Sequence, residues 1–402
     1  MCCSALVASP AEPATVVNAA NLMPGTSHLP GSAALRIGRA RLAAHDTPRS
    51  GAMTSGRNRG LVQTVLGPVS PSELGATTTH EHLHIDFSRM YRPAQDSPSE
   101  ELADAPITLK NLGWIRRHYY SNRSNLQLTD LDTAIEEVRT FREVGGGAIV
   151  DATSTGISRN PEALVRISRE TGVHVVMGSG FYVAAAHPED MDERGVEDLA
   201  QEIVGDIVEG VGDSGVRAGI IGEVGCTWPL DPNERKSLLA AAIAQQETGA
   251  AILIHPGRDE DAPLEILEVL ESGGADVERV IMGHLDRTVF EFEALRRIAE
   301  SGCYLEWDLF GNEGSYYPRA DVDMPSDAQR LDLIRRIADA GYAERIVIAQ
   351  DIFTKHRLIR YGGHGYGHVF ENIVPTMRRK GFPEDVIRAI TVNNPARILA
   401  LA

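Results

Sequence analysis

The chain has 402 residues, 43% of them hydrophobic and 24% charged, with a formal net charge of −17. These proportions suit a globular domain, and a field of that sign repels nucleic acid and anionic membrane, so both are excluded as partners while a local cationic pocket is not. The four cysteines (Cys2, Cys3, Cys226, Cys303) share no CxxC spacing and are too few for a disulfide framework, which points to a reducing cytoplasm; no apolar run reaches the 18 or so residues of a membrane span.

Residues 1–60 contain no Phe, Trp, Tyr or Lys, and set six arginines (Arg36, Arg39, Arg41, Arg49, Arg57, Arg59) against two acids, Glu12 and Asp46. Such a stretch cannot bury much surface and reads as a disordered extension. Its Arg-rich, acid-poor start is similar to an organelle transit peptide; the favoured reading makes Met53 the true start. Either way the fold is expected to begin near Leu61 and to occupy 61–402 as a single domain.

From there, short apolar or β-branched runs alternate with amphipathic stretches. The strands predicted in chain order are Thr77–Ile85, Ala148–Thr153, His174–Gly180, Ala218–Val224, Ala251–His255, Val280–His284, Tyr304–Asp308 and Ile346–Asp351. The helices between them are Asp130–Val144, Pro161–Thr171, Val196–Val211, Pro232–Thr248, Pro263–Ser272, Val289–Ser301 and Asp327–Ala340. In the first, Leu131, Ala134, Ile135, Val138 and Phe141 recur at helical spacing. Pro232 and Pro263 suit first turns, and Gly249, Gly302 and Gly341 suit left-handed caps. Eight strands alternating with helices imply a parallel sheet closed as a (β/α)8 TIM barrel. An open doubly wound sheet is disfavoured, since no GxGxxG loop follows the first strand.

The chemistry of such a barrel collects at the C-terminal ends of its strands. There stand His80 and His82 on one side of the first strand, about 7 Å apart along it, then Glu223 on the fourth, His255 on the fifth, His284 on the sixth and Asp351 on the eighth. Any one of these is most simply a hydrogen-bonding residue, and HxH alone is weak. Four imidazoles and two carboxylates converging on one rim are a different matter. They suit Zn²⁺, Mn²⁺, Fe²⁺ or Co²⁺ rather than Ca²⁺ or Mg²⁺. Six ligands exceed one tetrahedral ion that keeps a water and fit two ions bridged by a carboxylate. Glu223 is the expected bridge, with His80, His82 and Asp351 completing one ion and His255 and His284 the other. A bridging hydroxide would be the nucleophile, and Asp351 its proton acceptor.

These residues sit in longer segments: Leu66-Gly67-Pro68-Val69, the run Thr79-His80-Glu81-His82-Leu83, Gly222–Cys226, Ile254–Arg258, Gly283–Thr288, Glu306–Gly311, Asp351–Lys355, Tyr361–Tyr366 and Asn393-Asn394-Pro395. Together they resemble the phosphotriesterase family of the amidohydrolase superfamily, most of all its phosphotriesterase-related branch, from about Val62 to Ala402. The resemblance implies the same six ligands and a homodimer. It also exposes two departures. Glu223 stands where true phosphotriesterases carry a carboxylated lysine, and Arg287 and Leu309 stand where they relay protons, so efficient phosphotriester hydrolysis is not expected. Arg287 either binds an anionic group of the substrate or forms an ion pair with Asp286 or Asp308. Tyr182 is either a donor to the substrate or wall packing. His364, Tyr366 and His368 are assigned to a loop shaping the pocket mouth, the two histidines at the surface or behind the ligands. Lys355 and His356 are assigned to positioning Asp351. The expected activity is hydrolysis of a small, anionic N-acyl amide or ester of the N-acetyltaurine kind, with lactone hydrolysis second and weak phosphotriester (aryldialkylphosphate) hydrolysis third. A barrel that keeps its metals but only binds is the non-enzymatic alternative; intact ligands argue against it.

Overall fold

The computed structural model describes residues 58–95 and 99–402; the expectations about residues 1–57 lie outside them. Eight parallel strands form one sheet: β1 (Ala76–Glu81), β2 (Gly146–Asp151), β3 (His174–Ser179), β4 (Ile220–Gly225), β5 (Ile252–His255), β6 (Val280–Met282), β7 (Tyr304–Trp307) and β8 (Ile346–Ile348), each laddered to the next in sequence. Helices α1 (Leu131–Glu143), α2 (Pro161–Thr171), α3 (Val196–Val208), α4 (Pro232–Thr248), α5 (Ala262–Ser272), α6 (Phe292–Glu300) and α7 (Asp327–Ile337) fall between successive strands. This is the predicted (β/α)8 barrel.

The strands read as unbroken apolar runs because both faces are covered. Val150, Val176, Ile220, Leu253, Ile281 and Val347 point inward to one packed core. Their neighbours Ile149, Val175, Ile221, Ile252, Met282 and Ile346 point outward to a second core beneath the helices. The period-2 alternation that fills the lumen also aims the next inward residue of each strand at its mouth. Helix ends follow local chemistry: Asp231 caps α4 by accepting from Asn233 N, Pro232 opens it, and Gly249 closes it at φ 71°.

No ladder joins β8 to β1. The seam is closed instead by site residues: Asp351 N donates to His80 O (3.1 Å), and Gln350 N to a carboxylate oxygen of Glu81 (3.0 Å). Two pairings escaped the sequence reading. Val62–Thr64 and Gly67–Val69 form a hairpin, and Val62 bridges to Ala400. Ile85–Asp86 pairs with Gln127–Leu128, bounding the long excursion after β1. Several predicted strands end one to three residues early, because Asp151, Met282 and Ile348 are the last residues in regular strand before the chain turns into the site loops. Among the described residues no helix is long and apolar enough to cross a membrane, and Cys226 and Cys303 are free and buried.

Candidate metal centre

The six strand-end side chains meet at the C-terminal mouth of the barrel, all buried. His80 Nε2 lies 3.5 Å from Glu223 Oε2 and 3.9 Å from Asp351 Oδ1. His82 Nε2 lies 3.3 Å from Glu223 Oε1 and 3.2 Å from Asp351 Oδ1. At the same carboxylate, His255 Nδ1 stands 2.8 Å from Oε2 and 2.8 Å from His284 Nε2, which is 3.6 Å from Oε2. Ligand atoms around a tetrahedral ion with bonds of about 2.0–2.1 Å stand roughly 3.3 Å apart. Separations within both clusters run from 2.8 to 3.9 Å, around that value, and Glu223 belongs to each, while His80, His284 and Asp308 form a third close group. In addition, His80 Nε2 is buried without a hydrogen-bond partner, a cost that a cation at that point removes. The residues fit a pair of divalent ions sharing Glu223.

The electrostatics agree. Burial works against charge on every group here. Even so, the imidazoles of His80 and His255 hold the Glu223 carboxyl well below its usual range. His82 is raised to about 9 by Asp351 and Glu223, which outweigh its burial, and His284 to about 9, chiefly by Asp308. At His82 and His284 a field that binds protons this firmly binds a cation in their place, while burial and then His284 hold His255 well below its usual range, in the neutral form a ligand needs.

Residues behind the ligands set their orientation. Thr153 Oγ1 is 2.9 Å from His82 Nδ1, which leaves Nε2 to face inward. Asp308 accepts from His284 twice, at Nδ1 (2.7 Å) and at the backbone N–H (2.9 Å), and its Oδ2 lies 3.1 Å from His80 Nδ1, off the axis of a hydrogen bond. One carboxylate therefore backs a ligand of each cluster. Glu81, between the two first-strand histidines, points the other way and accepts from Gln350 N (3.0 Å) and Ile352 N (3.1 Å), pinning Asp351 from both sides. Of the three non-glycine residues at positive φ among the described residues, two are candidate ligands, His284 (52°) and Asp351 (48°). Such backbone strain collects where a side chain must be held in one direction.

Arg287 and Tyr182 both line the cavity above the ligands. The ion pairs considered for Arg287 do not form: Asp286 is taken by Arg330 (2.7 Å), and Asp308 by the histidines. Arg287 Nη2 instead lies 3.2 Å from His255 Nε2 and 3.3 Å from Pro256 O. Tyr182 Oη is 3.4 Å from His255 Nδ1, and burial keeps its phenol protonated well above its usual range. The loop after β8 leaves His364 at the surface as expected, while Lys355, His356, His368 and Tyr366 take other places. Lys355 and His356 do not touch Asp351; they tie the loop after β8 to Ser124 and Asn125, because Glu81 already holds Asp351. His368 is buried and bonded to Asp327 (2.8 Å), with the exposed His364 stacked on it. Tyr366 lies behind the site, donating to His82 O (2.7 Å).

The sequence reading missed the rest of the wall: Phe87, Tyr119 and Tyr120 from the excursion after β1, Arg258 after β5, and Asn312 and Tyr317 after β7. Two tyrosine doublets, Tyr119-Tyr120 and Tyr316-Tyr317, both in loops following barrel strands, were the available signal.

The sequence pattern of the Phosphotriesterase family matches residues 60–399. The chain is 45% identical to N-acetyltaurine hydrolase of Homo sapiens over 342 residues, 85% of this chain and 98% of that protein. It is 46% identical to phosphotriesterase-related protein of Nematostella vectensis over 341 residues, 84% and 97% of the two chains. Among solved structures, a resiniferatoxin-binding protein from Rhodobacter sphaeroides superposes with a TM-score of 0.82 at 38% identity, covering 85% of this chain and 95% of that one. With its barrel, its two ligand clusters and a family match spanning nearly all the described residues, this chain belongs to the phosphotriesterase family and is a hydrolase.

Proposed function

We propose that this chain hydrolyses a small N-acyl amide that carries an acidic group, of the kind exemplified by N-acetyltaurine. The observation that carries the reading is Arg287. It is buried, it has no carboxylate partner among the described residues, and a single imidazole ring, that of His255, separates its Nη2 from Glu223. A guanidinium so placed lacks only an anion. The amide carbonyl of a short substrate anchored on it would lie over the two ligand clusters. The relatives named N-acetyltaurine hydrolase support the same class.

Two divalent ions, zinc being the first choice, would supply Lewis acidity and a water made acidic at neutral pH. The protein does the remainder. Glu223, held ionised, keeps the two ligand clusters together. Asp351, pinned by Glu81, places a carboxylate oxygen beside His82 where it accepts a proton from the attacking water and returns it to the departing amine. Tyr182, kept as a neutral phenol, donates to the carbonyl oxygen as negative charge develops there. The aromatic wall of Phe87, Tyr120 and Phe353 excludes bulk water.

The test is product release by metal-loaded protein from N-acetyltaurine, N-acetyl amino acids, lactones and a phosphotriester, with Glu223→Ala alongside. Turnover of the acidic amides, lost in the variant, is the expected result. Turnover of lactones alone would replace this reading with the second, and Arg287 would revert to a structural part.

A further inference from the structure

Resting on that reading, a second arginine says which acid the substrate carries. Arg258 lies three residues beyond His255 and Arg287 three beyond His284, and both line the same cavity. Arg258 donates from Nε to the Tyr317 hydroxyl (2.9 Å), with its guanidinium 5.5 Å from the centre of that ring. Among the described residues, no carboxylate lies within ion-pair distance of either arginine. Other buried or half-buried arginines differ. Arg330 holds Asp286 and Asp327, Arg159 holds Asp206, and Arg357 and Arg279 donate to backbone carbonyls.

Two like charges lining one cavity, neither of them paired with a carboxylate, repel each other and favour an anion that neutralises both. Tyr317 adds a third donor. Its oxygen accepts from Arg258, so its own O–H proton is left for something else. The donors come from three loops, after β5, β6 and β7. A planar carboxylate is satisfied by one guanidinium fork. Two guanidinium groups and a phenol from three separate segments exceed what one carboxylate needs and suit a head group with three equivalent oxygens. Because one imidazole ring separates Arg287 from Glu223, the spacer between acid and amide must be short.

We propose that Arg258, braced by Tyr317, is the specificity-determining residue of this pocket, and that with Arg287 it selects a sulfonate on a short spacer over a carboxylate on the same spacer. Steady-state kinetics of metal-loaded wild type, Arg258→Met and Tyr317→Phe on N-acetyltaurine, N-acetyl-β-alanine and the uncharged N-ethylacetamide test it. For Arg258→Met, kcat/KM on N-acetyltaurine is expected to fall about 10- to 100-fold, mostly through KM, as for a lost hydrogen bond to a charged group. The fall on N-ethylacetamide should be at least tenfold smaller. Tyr317→Phe should lose several-fold on the sulfonate and less on the carboxylate. Equal losses on charged and uncharged substrates, or an unchanged KM for N-acetyltaurine, would overturn the proposal. Calorimetric titration with 1-propanesulfonate gives a readout that needs no turnover. Wild type should bind it more tightly than butanoate, Tyr317→Phe should narrow that gap, and Arg258→Met should lose it. If wild type cleaves no acidic amide, the proposed reaction fails. The sulfonate site then stands or falls on this titration alone: a wild type that does not prefer the sulfonate would sink it.

Discussion

Replacing Asp308 with asparagine should weaken both ligand clusters at once. Its carboxylate receives His284 Nδ1 (2.7 Å) and His284 N–H (2.9 Å), and lies 3.1 Å from His80 Nδ1. An asparagine amide offers one oxygen and one NH2 group. Whichever way it turns, an N–H of the protein then faces an N–H of the amide, and the local negative charge is gone. Losing a partner behind a ligating histidine costs about 10- to 100-fold in metal affinity, or roughly 1.4–2.7 kcal/mol. Here the loss falls on one histidine of each cluster. Of the candidate ligands, Thr153→Val touches only His82 and should weaken one cluster. The assay is metal content by elemental analysis after equilibration against buffered free zinc, with circular dichroism to establish the fold. Wild type should give two ions per chain. Asp308→Asn should need about 10- to 100-fold more free zinc for each ion, and Thr153→Val for one. An Asp308→Asn isotherm that overlays the wild type would refute the claim that this carboxylate backs both clusters.

Arg330→Met should cost about 3–5 kcal/mol, because it strands the buried Asp286, and for a folded unit of roughly 340 residues it should lower Tm by about 4–7 °C. The double variant Asp286→Asn/Arg330→Met should recover a good part of that loss; a single variant costing under about 1 kcal/mol would sink the argument. His356 is buried against Asn125 and held down to about 3, by burial and then by Arg357. Its folded value lies below the unfolded value of about 6.5, so between those limits the unfolded chain binds more protons and stability falls as pH drops. From pH 7 to 5 this residue alone should remove about 2 kcal/mol in urea unfolding, and His356→Gln should be flatter by that amount; parallel slopes would show the ring is already protonated or exposed. Chelation should abolish turnover and lower Tm, with zinc, manganese, cobalt or iron restoring both; at a thousandfold excess over Kd the metal should be worth about 4 kcal/mol. Glu223→Ala should show little of that metal-dependent shift in Tm.

What could be read from the sequence was whatever repeats with the period of its element. Alternation put His80 and His82 on one side of β1, and the same alternation carried Glu223, His255 and Asp351 to the ends of apolar runs, where a barrel collects its chemistry. These are local properties, and they survive with strand ends misjudged by one to four residues. Asp308 and Glu81 could not be assigned that way. Each is a strand-end carboxylate like the candidate ligands, and only a cross-strand neighbour decides which role it takes. Asp308 meets His80 and His284 from behind, while Glu81 faces away from the centre and fastens the β8 loop. Arg287 shows the same limit in reverse: its choice between Asp286, Asp308 and a substrate depended on Arg330, 43 positions away, having taken Asp286. The pocket wall is further from sequence still. Tyr119, Tyr120, Arg258 and Tyr317 lie on three loops with no period to follow, and their meaning rests on convergence that the barrel imposes. The framework around the reacting atoms is thus written in repeating patterns, and the selection of substrate in contacts between loops. For that reason variants of Arg258 and Tyr317 should change which acid is accepted and leave two ions bound, while variants of Asp308 should change the ions held.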